Sequence, residues 1–269
     1  MTSDPATVVA SPVAGNTGSL PAGVQKTLRA AVIDFACDVA IALFTLLAVM
    51  VPLGVIAALF YLVRGDAGSA GMLQGGAFLW ISLLGTGCMA LIVYGWRNPA
   101  SRAQRAASWR AIRQPRTWGW ILVVTALVFV CSNGLTALAK GLGLEAEPAN
   151  LEPIRQALAA SPLLMGVVVV LLAPAYEELL FRRVLFGKLW AAGWPKLGMA
   201  LSGAAFAFMH EMPGTDPATW PATGLLLLVY GAMGAAFAWL YRRTGTLYAA
   251  IAAHALNNGI ALLVLHWGA

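Results

Sequence analysis

Seven side chains in roughly the last hundred residues have types and spacings that could do chemistry. They are Glu177, Glu178, Arg182, Phe206, His210, His254 and Asn258. The first three lie in the run Ala173-Pro174-Ala175-Tyr176-Glu177-Glu178-Leu179-Leu180-Phe181-Arg182-Arg183. Glu178 and Arg182 are four apart, so on a helix they face each other and can form an ion pair. Glu177 is rotated by about 100° and gains no such partner on its own helix. One carboxylate is thus committed to structure and the other is free to act. Phe206 and His210 share a helix face in the same way, and so do His254 and Asn258.

Each group has a plainer alternative. The acid-acid-arginine cluster could simply end a span, His210 could be a helix-end residue beside Glu211 and Pro213, and His254 with Asn258 could be polar glue between helices. The pair His210-Glu211 does not extend to a zinc-protease H-E-x-x-H motif, because the fifth residue is Gly214. Taken together the groups say more. A carboxylate base, two imidazoles and an amide donor suit water-mediated hydrolysis of an amide. Glu177 would take the proton of a water, His210 would help hold that water, and His254 with Asn258 would stabilise the oxyanion.

Helices in a membrane must position these groups. Of the 269 residues 60% are hydrophobic and 10% charged, against roughly 45–50% and about 25% in soluble domains. The mean hydropathy is +0.77. This excludes disorder, a coiled coil and an ordinary soluble enzyme. Apolar spans are expected at about 36–63, 72–96, 118–140, 162–181 or further, 197–210, 221–241 and 246–265. Ionisable groups are costly there, so each is a functional candidate. On straight helices Glu177 and His210 lie about 20 Å along their spans and His254 about 12 Å.

The charges set the topology. One set of alternate connections holds Lys26 and Arg29, the six arginines between 97 and 116, then Arg182, Arg183, Lys188 and Lys196, and finally Arg242 and Arg243. The other holds only Arg64, Lys140 and Arg155. The basic side is then cytoplasmic, with the amino terminus inside. The net charge of +6 follows membrane topology rather than a nucleic-acid surface. The basic loop 97–117 reads as a topology anchor, and the outer loop 144–160 as a solvated connection. Cys37, Cys88 and Cys131 stand alone in apolar stretches, without metal-ligand or disulfide spacing. Gly231 and Ala235 have the small-x-x-x-small spacing that lets helices approach closely.

The ordered triple E-E-x-x-x-R, F-x-x-x-H, H-x-x-x-N on successive apolar helices resembles the CPBP family of intramembrane proteases. That family includes the CAAX prenyl endopeptidases of the Ras-converting type and the bacterial Abi proteins. The resemblance covers about 160–265. It implies that Glu177 activates water, that Glu178 pairs with Arg182, and that the site is a cavity within the membrane open to the cytoplasm. It leaves the cofactor open: zinc or another divalent metal could use Glu177, His210 and His254. The family core has eight spans against seven counted here, so an extra kinked or re-entrant piece is expected in 31–63 or 184–200.

The expectation is an all-α polytopic bundle of about seven (7–8) spans in the cell (inner) membrane. A flexible cytoplasmic tail occupies 1–28, N-terminal transmembrane helices 29–159, and a catalytic core 160–269. Its partners would be the lipid bilayer and a peptide or membrane-protein substrate, including lipidated ones, with no nucleic acid. The alternative function is a non-catalytic membrane scaffold or bacteriocin-immunity-type member of the same family.

Overall fold

The computed structural model describes residues 26–64, 76–144 and 146–267. The expected tail therefore lies almost wholly outside the described residues. Among these residues the secondary structure is helical, with no strand. We number the helices α1 (Leu28–Val63), α2 (Gly76–Arg97), α3 (Arg102–Ile112), α4 (Pro115–Gly141), α5 (Leu151–Ala160), α6 (Pro162–Ala191), α7 (Pro195–His210), α8 (Trp220–Thr244) and α9 (Leu247–Trp267).

Local chemistry sets the ends. Thr27 caps α1 by accepting the Ala30 N–H. Proline occupies the first turn of α4, α6, α7 and α8, where its missing N–H is not needed. Gly193 (φ 94°) turns the chain between α6 and α7, and Gly245 (φ 69°) ends α8 so that α9 can start two residues later.

Among the described residues six helices, namely α1, α2, α4, α6, α8 and α9, are long and apolar enough to cross a membrane. The chain is a multi-pass membrane protein. The remaining expected span, α7, has 16 residues. At 1.5 Å per residue it is about 24 Å long, shorter than a core of about 30 Å. It stops at His210, where Glu211 is already extended. No re-entrant piece occupies 31–63 or 184–200: α1 is one helix of 36 residues with Pro52 inside it, and 192–194 is a tight turn. Large apolar side chains such as Phe44, Leu47, Ile56 and Leu122 are exposed, as lipid-facing groups are.

The basic connections come together at one end. Asp38 is fully buried and paired with both Arg97 (2.6 Å) and Lys188. Arg183 donates to Asn98 O, Pro99 O and Gln104 Oε1. Ser108 bonds to Thr246 at 2.7 Å, and Arg243 lies over the Trp120 ring. The expected anchor contains an amphipathic helix, α3, opened by a Ser101/Gln104 capping box. The outer connection is more than a solvated loop. Its helix α5 packs Ala157 against Leu79 of α2 and Met165 of α6.

The core lies where α6, α7, α8 and α9 meet α2 and α4, around Leu180, Val184, Phe206, Phe237 and Ala253. Helices α7 and α8 touch through their backbones. A Cβ on Gly203 would lie 2.6 Å from Gly231 O and 3.1 Å from Ala235 N. The small-residue spacing at 231 and 235 therefore does what it was expected to do, and it fixes how α7 carries His210.

Candidate active site

Helix α6 carries the acids, but not as a regular α-helix. Two π-helical stretches, Val168–Leu172 and Leu179–Phe186, flank the segment Ala173–Glu178. Such turns add a residue, re-aim the side chains beyond them, and are frequent at functional sites. Each has a carbonyl bonded by an asparagine from another element. Asn258 Nδ2 donates to Val169 O at 3.0 Å, and Asn98 Nδ2 donates to Arg183 O at 2.7 Å.

Glu178 and Arg182 are both fully buried, with Glu178 Oε2 2.8 Å from Arg182 Nε. That contact is ionic rather than an aligned hydrogen bond, since neither atom finds a hydrogen-bond partner. Arg182 Nη2 donates to Glu178 Oε1 at 3.2 Å. The guanidinium also stacks over the Phe206 ring, 4.9 Å from its centroid, in a cation–π contact. Phe206, from the second motif, thus supports the ion pair of the first.

Glu178 has a second partner that the sequence did not suggest. Its Oε1 is 3.0 Å from His254 Nδ1. A carboxylate only accepts, so Nδ1 carries the proton and Nε2 faces the other way. His210 is oriented alike. Its Nδ1 is 2.9 Å from Phe206 O, a carbonyl, so this nitrogen also donates. The rings are held by flat neighbours: Tyr230 stacks on His210 at 4.7 Å and Phe237 on His254 at 5.1 Å.

Both Nε2 atoms point to Glu177. Its Oε2 is 3.9 Å from His210 Nε2 and 3.8 Å from His254 Nε2, and it is buried without a hydrogen-bond partner. Three acceptors from α6, α7 and α9 therefore converge. Each gap is one that a single water can span with two hydrogen bonds of about 2.8 Å. A tetrahedral metal with bonds of about 2.0–2.1 Å needs ligand–ligand edges of about 3.3 Å. Among the described residues no group of three or more His, Cys, Asp or Glu is arranged to hold a metal ion. The donor set does not fit a resident metal as it stands.

Of the residues picked from the sequence, Glu177, Glu178, Arg182, Phe206, His210 and His254 form one cluster. Asn258 stands apart in its bonding, with one amide N–H committed to the α6 backbone. Sequence reasoning missed Tyr230, Phe237 and Arg183. The Arg182-Arg183 doublet was the only available signal for Arg183.

A protein-family model, described as type II CAAX prenyl endopeptidase Rce1-like, matches residues 159–260, the stretch that holds all three motifs. This segment is similar to that family, in line with the resemblance carried by the three motifs. The chain is also similar to the protein named "Putative membrane peptidase YdiL" of Bacillus subtilis (strain 168), with 31% identity over 124 residues. That match takes in 46% of this chain and 45% of the relative, so the chain matches a little under half the length of this curated protein. No solved structure matches.

Proposed function

We propose that the CPBP core makes this chain an intramembrane endopeptidase of the cell membrane, with its basic face in the cytoplasm. The observation that carries this is the convergence of His210 Nε2 and His254 Nε2 on the Glu177 carboxylate. A water held between them gives its proton to Glu177, and its oxygen adds to the carbonyl carbon of the substrate peptide bond. His254 Nε2, its ring fixed by Glu178 through Nδ1–H, accepts the other hydrogen of the water and so orients the attacking oxygen. The intermediate collapses as the C–N bond breaks and Glu177 returns the proton to the departing amine.

The substrate class we propose is a lipidated peptide or a membrane protein. Support comes from the family description, which names prenyl endopeptidases, and from a site built on apolar helices. The chemistry derived above uses only side chains of this chain.

The test is cleavage of a quenched-fluorescent peptide library, with prenylated C-terminal peptides included, by purified protein in detergent. Wild type and Glu177→Gln are compared with and without a chelator. Cleavage lost in Glu177→Gln and unaffected by chelator is the expected result. Loss on chelation with restoration by a divalent metal would overturn the metal-free route. A cellular phenotype that survives Glu177→Gln would favour a scaffold.

A further inference from the structure

Pro174 stands three residues before Glu177 and leaves a carbonyl of α6 short of a main-chain donor. The N–H of Ala173 bonds to Val168 O, five residues back. Val169 O is thereby passed over. The next donor in line would be the N–H of residue 174, and proline has none. An unpaired carbonyl inside a membrane helix bundle is costly and is met by a side chain where one is in reach. Asn258 of α9 meets it, with Nδ2 3.0 Å from Val169 O. The two helices are close at this level: a Cβ on Gly259 would lie 3.7 Å from Val170 Cγ1.

This bond ties the two halves of the site together. His254 lies one turn before Asn258 on α9, and Glu177 lies two turns beyond Val169 on α6. An inserted residue turns everything after it by about 100°. The π stretch at Val168–Leu172 therefore decides whether Glu177 points at the imidazoles or past them.

We propose that Asn258 is a positioning residue: its amide replaces the N–H that Pro174 lacks, holds the π turn, and so aims Glu177 at His254. This differs from the sequence expectation of Asn258 as an oxyanion donor, and it rests on the assignment of Glu177 as base. Its distinguishing consequence is rescue. An N–H restored at residue 174 does the work of the Asn258 amide, which no oxyanion donor would allow.

The experiment is a double-mutant cycle with Asn258→Ala, Pro174→Ala and the combined variant, in the full chain in detergent. Thermal unfolding is one readout and needs no substrate. Asn258→Ala is expected to lower Tm by several degrees. The combined variant is expected to return to the wild-type Tm. In the cleavage assay Asn258→Ala lowers kcat about 10²-fold with KM unchanged. Pro174→Ala alone stays within about threefold of wild type, and the combined variant recovers most of the lost kcat. A combined variant that melts and turns over like Asn258→Ala overturns the proposal. So does recovery of Tm without recovery of kcat, because the amide would then act on the reacting atoms. So does a Pro174→Ala protein as impaired as Asn258→Ala. If wild type cleaves nothing, the protease assignment fails, while the melting cycle still decides whether the amide serves Val169 O.

Discussion

Replacing Arg182 by Met tests both the buried pair and its link to catalysis. Arg182 and Glu178 are fully buried and 2.8 Å apart. The variant leaves the Glu178 carboxylate in the core with His254 as its remaining partner, and it removes the cation from the Phe206 face. Breaking a buried pair by removing one partner costs about 3–5 kcal/mol, because the remaining charge is uncompensated. For a chain of this size that lowers Tm on the order of 10 °C. The partner experiment removes both charges with Glu178→Leu/Arg182→Met. Apolar replacement of a whole buried pair is often neutral, so this variant should regain most of the lost stability. It should not regain activity. Without Glu178 the His254 Nδ1–H loses its acceptor, the tautomer is no longer fixed, and kcat should fall by at least about 10²-fold. Differential scanning fluorimetry in detergent and the cleavage assay read the two effects separately. An Arg182→Met protein within about 1 kcal/mol of wild type would refute the burial argument. A double variant with full activity would refute the role given to Glu178 in orienting His254.

His210→Ala should lower kcat by about 10²–10³-fold with little change in Tm, since the ring is part-exposed and its Nδ1 bond stays within its own helix. Loss of folding without a kinetic defect in the folded fraction would count against a catalytic role. Gly203→Val places atoms where Gly231 O already lies 2.6 Å from a Cβ position, so α7 must shift from α8. That overpacking should cost about 1–3 kcal/mol and impair turnover by moving His210; a variant with native Tm and native kcat would refute the close approach. Single cysteines at Arg105 and Lys140, in a background with Cys37, Cys88 and Cys131 replaced, should label from opposite sides in membrane vesicles. Labelling from one side would break the topology.

The two-sidedness of the bundle was legible because it depends on composition. Lys188, Arg97, Arg183 and Arg243 gather at one end as the charge count required. The pairing of Glu178 with Arg182 was legible from helix periodicity alone. The second role of Glu178 was not, because it depends on how α9 packs on α6, and no local pattern encodes that contact. The π stretches were missed for a related reason. Apolar periodicity reads through one added residue, and Pro174 marked the place only once its absent N–H could be matched to a particular carbonyl. The burial of Asp38 was not legible either, because a carboxylate near a span end is ordinarily solvated, whereas here two cations from other helices close over it.

The first half of the described chain, which carries no motif, is built into the site. Tyr176, next to Glu177, packs its ring against Gly87 of α2, where a Cβ would stand 3.4 Å away. At the other end of the acidic segment, the Gly187 N–H bonds to Arg182 O and Val184 O rather than to Arg183 O, and Asn98 donates a bond to Arg183 O. Arg183 returns three bonds to Asn98, Pro99 and Gln104. The family match begins at residue 159, so these partners lie outside it. A helix interrupted by two π stretches has weakened internal bonding on either side of its carboxylates. It holds one geometry only if neighbours satisfy what the interruptions release. Asn258 does so from within the family core and Asn98 from outside it. The acids are thus held between a clamp that belongs to the core and one contributed by the N-terminal helices, which gives those helices a physical reason to be there.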